Sequence, residues 1–173
     1  MELLEAIKGR RSIRAFKPQD IPDETVEQLI DVASYAPSAG NTQPWAFVIA
    51  KKVETKKKLA SAAYNQAFVE KAPVVIVVCA DENRCSIRYG RRGKTLYCVQ
   101  DTAAATQNIL LTAYSLGLGT CWVGAFNEEE AKKALKTPDG IRPVVMIPVG
   151  YPDKKPSQRS RRPLKQIVYH EDF

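Results

Sequence analysis

The sequence predicts an α+β fold of α/β-like character, with helices packed around a central mixed β-sheet. Three features carry that reading. Strand-type and helix-type segments alternate along the chain; the apolar run Pro73 to Ala80 (PVVIVVCA) has the length and composition of a fully buried strand; and the alanine-rich stretch from about Thr95 to Leu116 has the length of a core helix.

The elements follow in order. Leu3, Leu4 and Ile7 suggest a short first helix that stops at Gly9, and the RRSIRAF segment after it alternates polar and apolar residues as extended chain does. Pro22, Asp23 and Glu24 open a second helix, because proline fits the first turn and carboxylates favour its positive end. Val26, Leu29, Ile30 and Ala33 then form one apolar face at i, i+3, i+4 and i+7. PSAGNTQPW (Pro37 to Trp45) is a loop by its Pro, Gly and Asn content, and it leads into the strand WAFVIA. A helix near Lys56 to Ala63 and the strand PVVIVVCA come next. In the long helix Ala103, Ala104 and Ala105 let neighbours approach closely, which makes it a central element and a candidate subunit contact. The turn GLGT, the strand CWVGAF, the helix NEEEAKKAL with Asn127 as N-cap, and the strand RPVVMIPVGY complete the chain.

The 173 residues suit one domain, 1–173, and no repeat or Pro/Gly/Ser-rich linker divides them. With 45% hydrophobic and 26% charged residues, disordered and collagen-like classes are excluded. No run reaches the roughly 18–20 apolar residues of a membrane span. The N-terminal MELLEAIKGRRSIRAF lacks the apolar core and cleavage site of a secretory signal, so a soluble, cytoplasmic protein is expected. Cys79, Cys85, Cys98 and Cys121 match neither CxxC nor zinc-knuckle spacing and read as small buried apolar residues. His170, the only histidine, lies three residues from the C-terminus, which argues against a histidine metal site or a Ser-His-Asp triad; no metal is expected.

The net charge of +7 favours an anionic partner. Lys51, Lys52, Lys56, Lys57 and Lys58, interleaved with Glu54, read as a solvated face. Arginines instead concentrate in three segments: Arg10, Arg11 and Arg14; Arg88, Arg91 and Arg92; Arg159, Arg161 and Arg162. The planar guanidinium fork suits bidentate phosphate recognition. GxxxxGK[ST], helix-opening GxGxxG, GxSxG and HExxH are all missing, and GLG at Gly117 to Gly119 reads as a helix C-cap turn. A chain with so few acids, bases and nucleophiles at recognisable spacing needs a cofactor to carry a reaction.

Four segments in register, RRSIRAF (Arg10 to Phe16), APSAGNTQPWAF (Ala36 to Phe47), QDTAAATQNILLTAYSLGLGTCWVGAF (Gln100 to Phe126) and the closing IPVGYP with RSRRPL, resemble the nitroreductase family of FMN-dependent oxidoreductases. The resemblance spans nearly the whole chain. It implies a homodimer of nitroreductase-like fold with one FMN in each of two interfacial clefts, NADH or NADPH as electron donor, and a nitroaromatic, quinone or related acceptor reduced by a ping-pong mechanism. It places Arg10 on the FMN phosphate, Ser12 on the phosphate or ribityl chain, Arg14 near the pyrimidine edge as a flavin-tuning charge, and Arg11 beside them. Arg159 and Arg161 would close over the phosphate. Pro37, Ser38, Ala39 and Asn41 would serve the flavin held mainly by the other subunit, while Pro44 and Trp45 set that loop. Gln66, with Asn65 as neighbour, would pair with the pyrimidine. Trp122, Val123 and Gly124 would face the isoalloxazine ring, with the Gly124 N–H near flavin N5. No side chain is assigned as catalytic. This chain is shorter than the longer family members, whose insertions shape the pocket above the flavin.

Arg88, Arg91 and Arg92 stand either near a nicotinamide 2′-phosphate or, as the preferred reading, on a solvated loop. Two alternatives to the oxidoreductase are a basic nucleic-acid-binding module, supported only by charge and without a recognition motif, and a flavin-binding protein without turnover.

Overall fold

A computed structural model describes residues 1–173. Its centre is a four-stranded sheet of order β1-β2-β4-β3, built from β1 (Trp45–Ala50), β2 (Val74–Asp81), β3 (Gly119–Thr120) and β4 (Ile141–Gly150). All three strand pairs are antiparallel, so the expected mixed sheet is corrected. Alternation of strands and helices does not fix strand direction. Here the connection from β1 carries two helices, α3 (Val53–Ala62) and α4 (Ala67–Lys71), and it delivers β2 in the opposite sense. The only parallel pairing is the isolated bridge between Ser12 and Thr120.

β2 explains the layering. Its side chains alternate between two cores, with Val74, Ile76 and Val78 on one face and Val75, Val77 and Cys79 on the other. The first face packs against α2 (Asp23–Ser34), through Val26, Leu29 and Ala33, and against α6 (Cys98–Ser115), through Ala105, Ile109 and Ala113. The second packs against α3, through Leu59, Ala60 and Ala62, and against Ala131 of α7 (Glu128–Leu135). Covered on both sides, β2 reads as a continuous apolar run rather than an alternating one.

Most expected elements stand where the pattern put them. The first helix, α1, is Leu3–Gly9, β1 coincides with WAFVIA, and Asn127 caps α7 by accepting from the Glu130 N–H at 3.0 Å. Pro22 is the N-cap of α2, one position before the first turn. Three expectations change. CWVGAF is not a strand: only the two residues before it pair as β3, and within it Val123 makes an isolated bridge to Met146. The long helix begins at Cys98, preceded by a wide turn at Gly93–Tyr97 and by α5 (Glu82–Arg92), so Arg88, Arg91 and Arg92 lie on a helix and not a loop. Lys56 does not join the solvated face of Lys51, Lys52, Lys57 and Lys58. It is buried, and its Nζ donates to the Ala72 and Pro73 carbonyls at 2.6 and 3.2 Å, ending α4 from below. Burial holds its amine below the usual lysine range.

All four cysteines are free and buried. Burial pushes Cys79 up to about 12 and Cys98 up to about 11, which keeps both as neutral thiols near pH 7. No helix is long and apolar enough to cross a membrane.

Candidate functional site

The two ends of the chain meet. Arg10, Arg11, Ser12 and Arg14 line one wall of a cleft of about 330 Å³, and Pro156, Ser157, Arg159 and Arg161 line the other. No lining residue is hydrophobic, and none of the five guanidinium groups pairs with a carboxylate. Five uncompensated cations in one open cleft form a donor set for a polyanion such as a phosphate dianion.

The wall at 10–14 is fixed by backbone. The Ile13 N–H donates to the Thr120 carbonyl at 2.8 Å, and Ser12 bridges to Thr120. Gly119 permits the approach, since a Cβ there would lie 2.7 Å from Ile13 Cγ1. Arg11 is partly spent on structure, because its Nη1 donates to the Lys8 and Arg10 carbonyls at 2.6 and 2.8 Å and closes the end of α1. Arg161 Nη1 likewise holds the Arg159 and Ser160 carbonyls at 3.1 Å. The Arg10 and Arg159 side chains make no hydrogen bond within the chain. Behind Ser12 lies Cys121, whose thiol is pushed up by burial against the opposing pull of Arg14, Ser12 and Arg10.

From Arg14 the site continues away from the arginines. The Arg14 Cζ lies 5.7 Å from the centroid of the Phe68 ring on α4. Gln66, at the start of α4, donates from Nε2 to the Ala63 carbonyl at 3.0 Å and to the Ala125 carbonyl at 3.4 Å. Ala125 adjoins Gly124, which is exposed, and a Cβ on Gly124 would meet only Trp122, at 3.4 Å. Trp122 is itself 40% exposed, whereas Val123 is buried and exchanges two 2.9 Å backbone hydrogen bonds with Met146. One strip thus joins the basic cleft, Arg14, Gln66 and Gly124, and Val123 anchors it from beneath. Asn65 sits in the turn before Gln66 with φ of 59°.

Pro37, Ser38, Ala39 and Asn41 are not on this strip. They belong to the loop after α2, which folds into a short 3-10 turn (Ala39–Asn41) held between α5 and α6. Arg88 Nη1 donates to the Gly40 carbonyl at 3.1 Å, and Arg92 Nε donates to the Tyr97 hydroxyl at 2.9 Å. Arg88 and Arg92 are therefore partly committed to their own neighbours.

Sequence reasoning missed Phe68, Arg84 and Asp101. Asp101 had a readable signal: it shares a helix face with Ala105 and Ile109, which is a core position and an unusual place for an acid. Arg84, which donates from Nε to the Thr42 carbonyl, had none beyond its charge.

Comparison with known proteins identifies the family. The sequence profile of the Nitroreductase family matches residues 7–71 and 60–151. A protein of Methanothermobacter thermautotrophicus, provisionally named NADH dehydrogenase/NAD(P)H nitroreductase, is 37% identical over 163 residues, covering 92% of this chain and 82% of its own. An FMN reductase (NADPH) of Bacillus subtilis is 32% identical over 182 residues, covering 98% and 73%. Among solved structures, the NADPH:FMN oxidoreductase from Vibrio harveyi complexed with NAD+ superposes with a TM-score of 0.91 at 29% identity, over 99% of this chain and 77% of that one. The profile runs from α1 through the arginine wall at 10–14 to the end of β4, well over half of the chain: the chain belongs to the nitroreductase family.

Proposed function

We propose that the protein is an FMN-dependent NAD(P)H oxidoreductase that reduces nitroaromatic, quinone or related acceptors as a homodimer. The observation that carries this reading is the cleft in which Arg10, Arg11, Ser12 and Arg14 meet Arg159 and Arg161 without an acidic partner. The residues present suit FMN. The cleft offers cationic donors for a phosphate dianion, and the exposed backbone at Gly124 has room beside it for a flat ring. When bound, FMN supplies the relay of hydride from NAD(P)H to the acceptor, and their alternating use of one cleft makes the cycle ping-pong.

The chain's own residues do the holding and tuning. Arg10 and Arg159 have free guanidinium groups and take the phosphate, with Ser12 adding a hydroxyl, while Arg11 and Arg161 shape the cleft and add charge. Arg14, steadied over Phe68, places positive charge at the pyrimidine edge, where Gln66 and Asn65 supply amides. Gly124 presents its N–H at the redox edge, Val123 fixes that backbone, and Trp122 walls the pocket. Pro37, Ser38, Ala39 and Asn41 face the flavin held mainly by the other subunit.

Homodimer formation is supported by apolar surface without cover in one chain. Leu3, Leu4 and Ile7 of α1 are 48–64% exposed, and Leu164, Ile167, Val168, Tyr169 and Phe173 in the tail are exposed too.

The test is spectroscopic. Protein purified with FMN should be yellow, release FMN on denaturation, and bleach anaerobically with NADH or NADPH. Bound flavin that no nicotinamide reduces would reassign the protein to binding without turnover. Failure to take up FMN in excess would overturn the reading altogether.

A further inference from the structure

We infer that Asp101 is a positioning residue: from α6 it holds the Pro37–Asn41 loop in its working shape through the backbone N–H of Ala39. The inference rests on the proposed function, in which that loop serves the cofactor.

Asp101 is 8% exposed, and both of its carboxylate oxygens lie 3.2 Å from the Ala39 nitrogen, across 62 positions of sequence. No lysine, arginine or histidine pairs with it. A buried carboxylate without a counter-ion costs stability, and one shared N–H offsets only part of that cost. Its neighbours on the same helix face, Ala105 and Ile109, are plain core, so an alanine would satisfy the fold at position 101. What the carboxylate adds is a directed contact to the loop.

The loop requires such a contact. Gly40, Asn41 and Gln43 all adopt positive φ, at 54°, 55° and 49°, which for the two side-chain-bearing residues is a strained conformation that the surroundings must impose. From the α5 side, Arg88 holds the Gly40 carbonyl at 3.1 Å and Arg84 holds the Thr42 carbonyl, but both arginines are exposed. Within the loop the Gln43 N–H donates to Ser38 Oγ at 3.0 Å. Only the Asp101 contact is both charged and buried, where a hydrogen bond is strongest. It grips the loop at its first helical residue, directly between Ser38 and Asn41.

A double-mutant cycle tests this. Asp101→Ala removes the acceptor. Ala39→Pro removes the donor with little other change, since Ser38 (φ −141°, ψ 153°) already has the extended backbone that a following proline requires. The readouts are the FMN dissociation constant, from flavin fluorescence, and amide hydrogen exchange across residues 38–43. Each single variant should weaken FMN about tenfold, and the double variant should lose no more than the weaker single, because both remove one contact. Asp101→Asn keeps an acceptor oxygen and should stay within about threefold of the parent. Exchange at Asn41 and Thr42, whose N–H groups donate to the Ser38 and Ala39 carbonyls at 3.0 and 3.1 Å, should quicken in Asp101→Ala and not in Asp101→Asn. Additive losses in the double variant, or loop exchange in Asp101→Ala equal to the parent, would overturn the inference. Should Asp101→Ala not fold, Ala39→Pro decides: parental FMN affinity and parental loop exchange in that variant overturn the inference equally. If the parent itself binds no FMN, the proposed function falls, while the exchange comparison still judges Asp101.

Discussion

Replacing Arg10 and Arg11 separately by alanine should divide the basic cleft into a binding half and a structural half. Both guanidinium groups line the cleft, but Arg11 Nη1 is held by the Lys8 and Arg10 carbonyls at 2.6 and 2.8 Å, whereas the Arg10 guanidinium donates to nothing in its own chain. Under the proposed function, Arg10→Ala therefore removes a charge-assisted bond to the phosphate, worth on the order of 1.5–3 kcal/mol, or about ten- to a hundredfold in FMN affinity. The cleft is open to solvent, so the loss should shrink as salt rises. Arg11→Ala instead uncovers the end of α1, at about 1 kcal/mol, and should lower Tm by roughly 2–4 °C with a smaller change in affinity. Quenching of FMN fluorescence on binding, at two salt concentrations and beside thermal melts of both apoproteins, reads both effects. Equal affinity losses in the two variants with unchanged Tm would refute the division, and parental affinity of Arg10→Ala at low salt would remove Arg10 from the phosphate.

Arg14→Gln should lower the FMN midpoint potential, with a smaller loss of affinity for oxidised FMN; each 30 mV or so corresponds to about 1.4 kcal/mol of differential binding, and coincident midpoints in a spectroscopic redox titration would deny Arg14 a tuning role. Gly124→Ala should leave Tm nearly unchanged, because the new Cβ meets only Trp122 at 3.4 Å, yet slow hydride uptake from NAD(P)H in stopped flow. Gly119→Ala, whose Cβ would lie 2.7 Å from Ile13, should lower Tm clearly, and equal stability of the two variants would contradict the packing. Burial raises the Asp101 carboxyl in the folded state, so between its unfolded and its raised value the native chain holds a proton there that the unfolded chain has released, and the cost to stability builds up as pH rises through that interval. The stability of Asp101→Asn relative to the parent should accordingly fall as pH drops from about 7 towards about 4, where unfolded carboxylates protonate; a difference that does not vary with pH would refute the sign.

What the sequence disclosed follows from which forces act locally. WAFVIA and PVVIVVCA are legible because β-branched and apolar residues between turn formers have few other uses, and the Asn127 cap is legible because its chemistry spans three residues. Strand direction was not, since it depends on how α3 and α4 return the chain. CWVGAF carries strand-like side chains, yet its backbone forms a ladder bridge only at Val123, with one further bond of 3.4 Å from the Cys121 N–H to the Pro148 carbonyl, and leaves Gly124 exposed. Lys56 looked solvated amid its neighbours because composition cannot reveal the carbonyls of Ala72 and Pro73 waiting in three dimensions. At the site, the arginine motifs could be read as phosphate-seeking, but Phe68 under Arg14 and Asp101 under Ala39 are tertiary contacts between segments 54 and 62 positions apart.

The proposed grip on phosphate and the proposed redox edge are tied together by main chain. Segment 10–14 lies on Thr120 through the Ile13 hydrogen bond and the Ser12 bridge, and three residues later Val123 locks the same strip to Met146 in β4 by two hydrogen bonds of 2.9 Å. The spacing from Arg10 to Gly124 is therefore fixed by backbone pairs on a covered sheet, while the arginines that complete the cleft come from an exposed tail. A rigid wall with a separate, solvent-exposed cationic flap lets anion affinity and ring placement vary independently. Under the proposed function, substitutions at Arg159 or Arg161 should act chiefly on affinity, whereas changes along the 119–124 strip should also reach the geometry at which hydride is accepted.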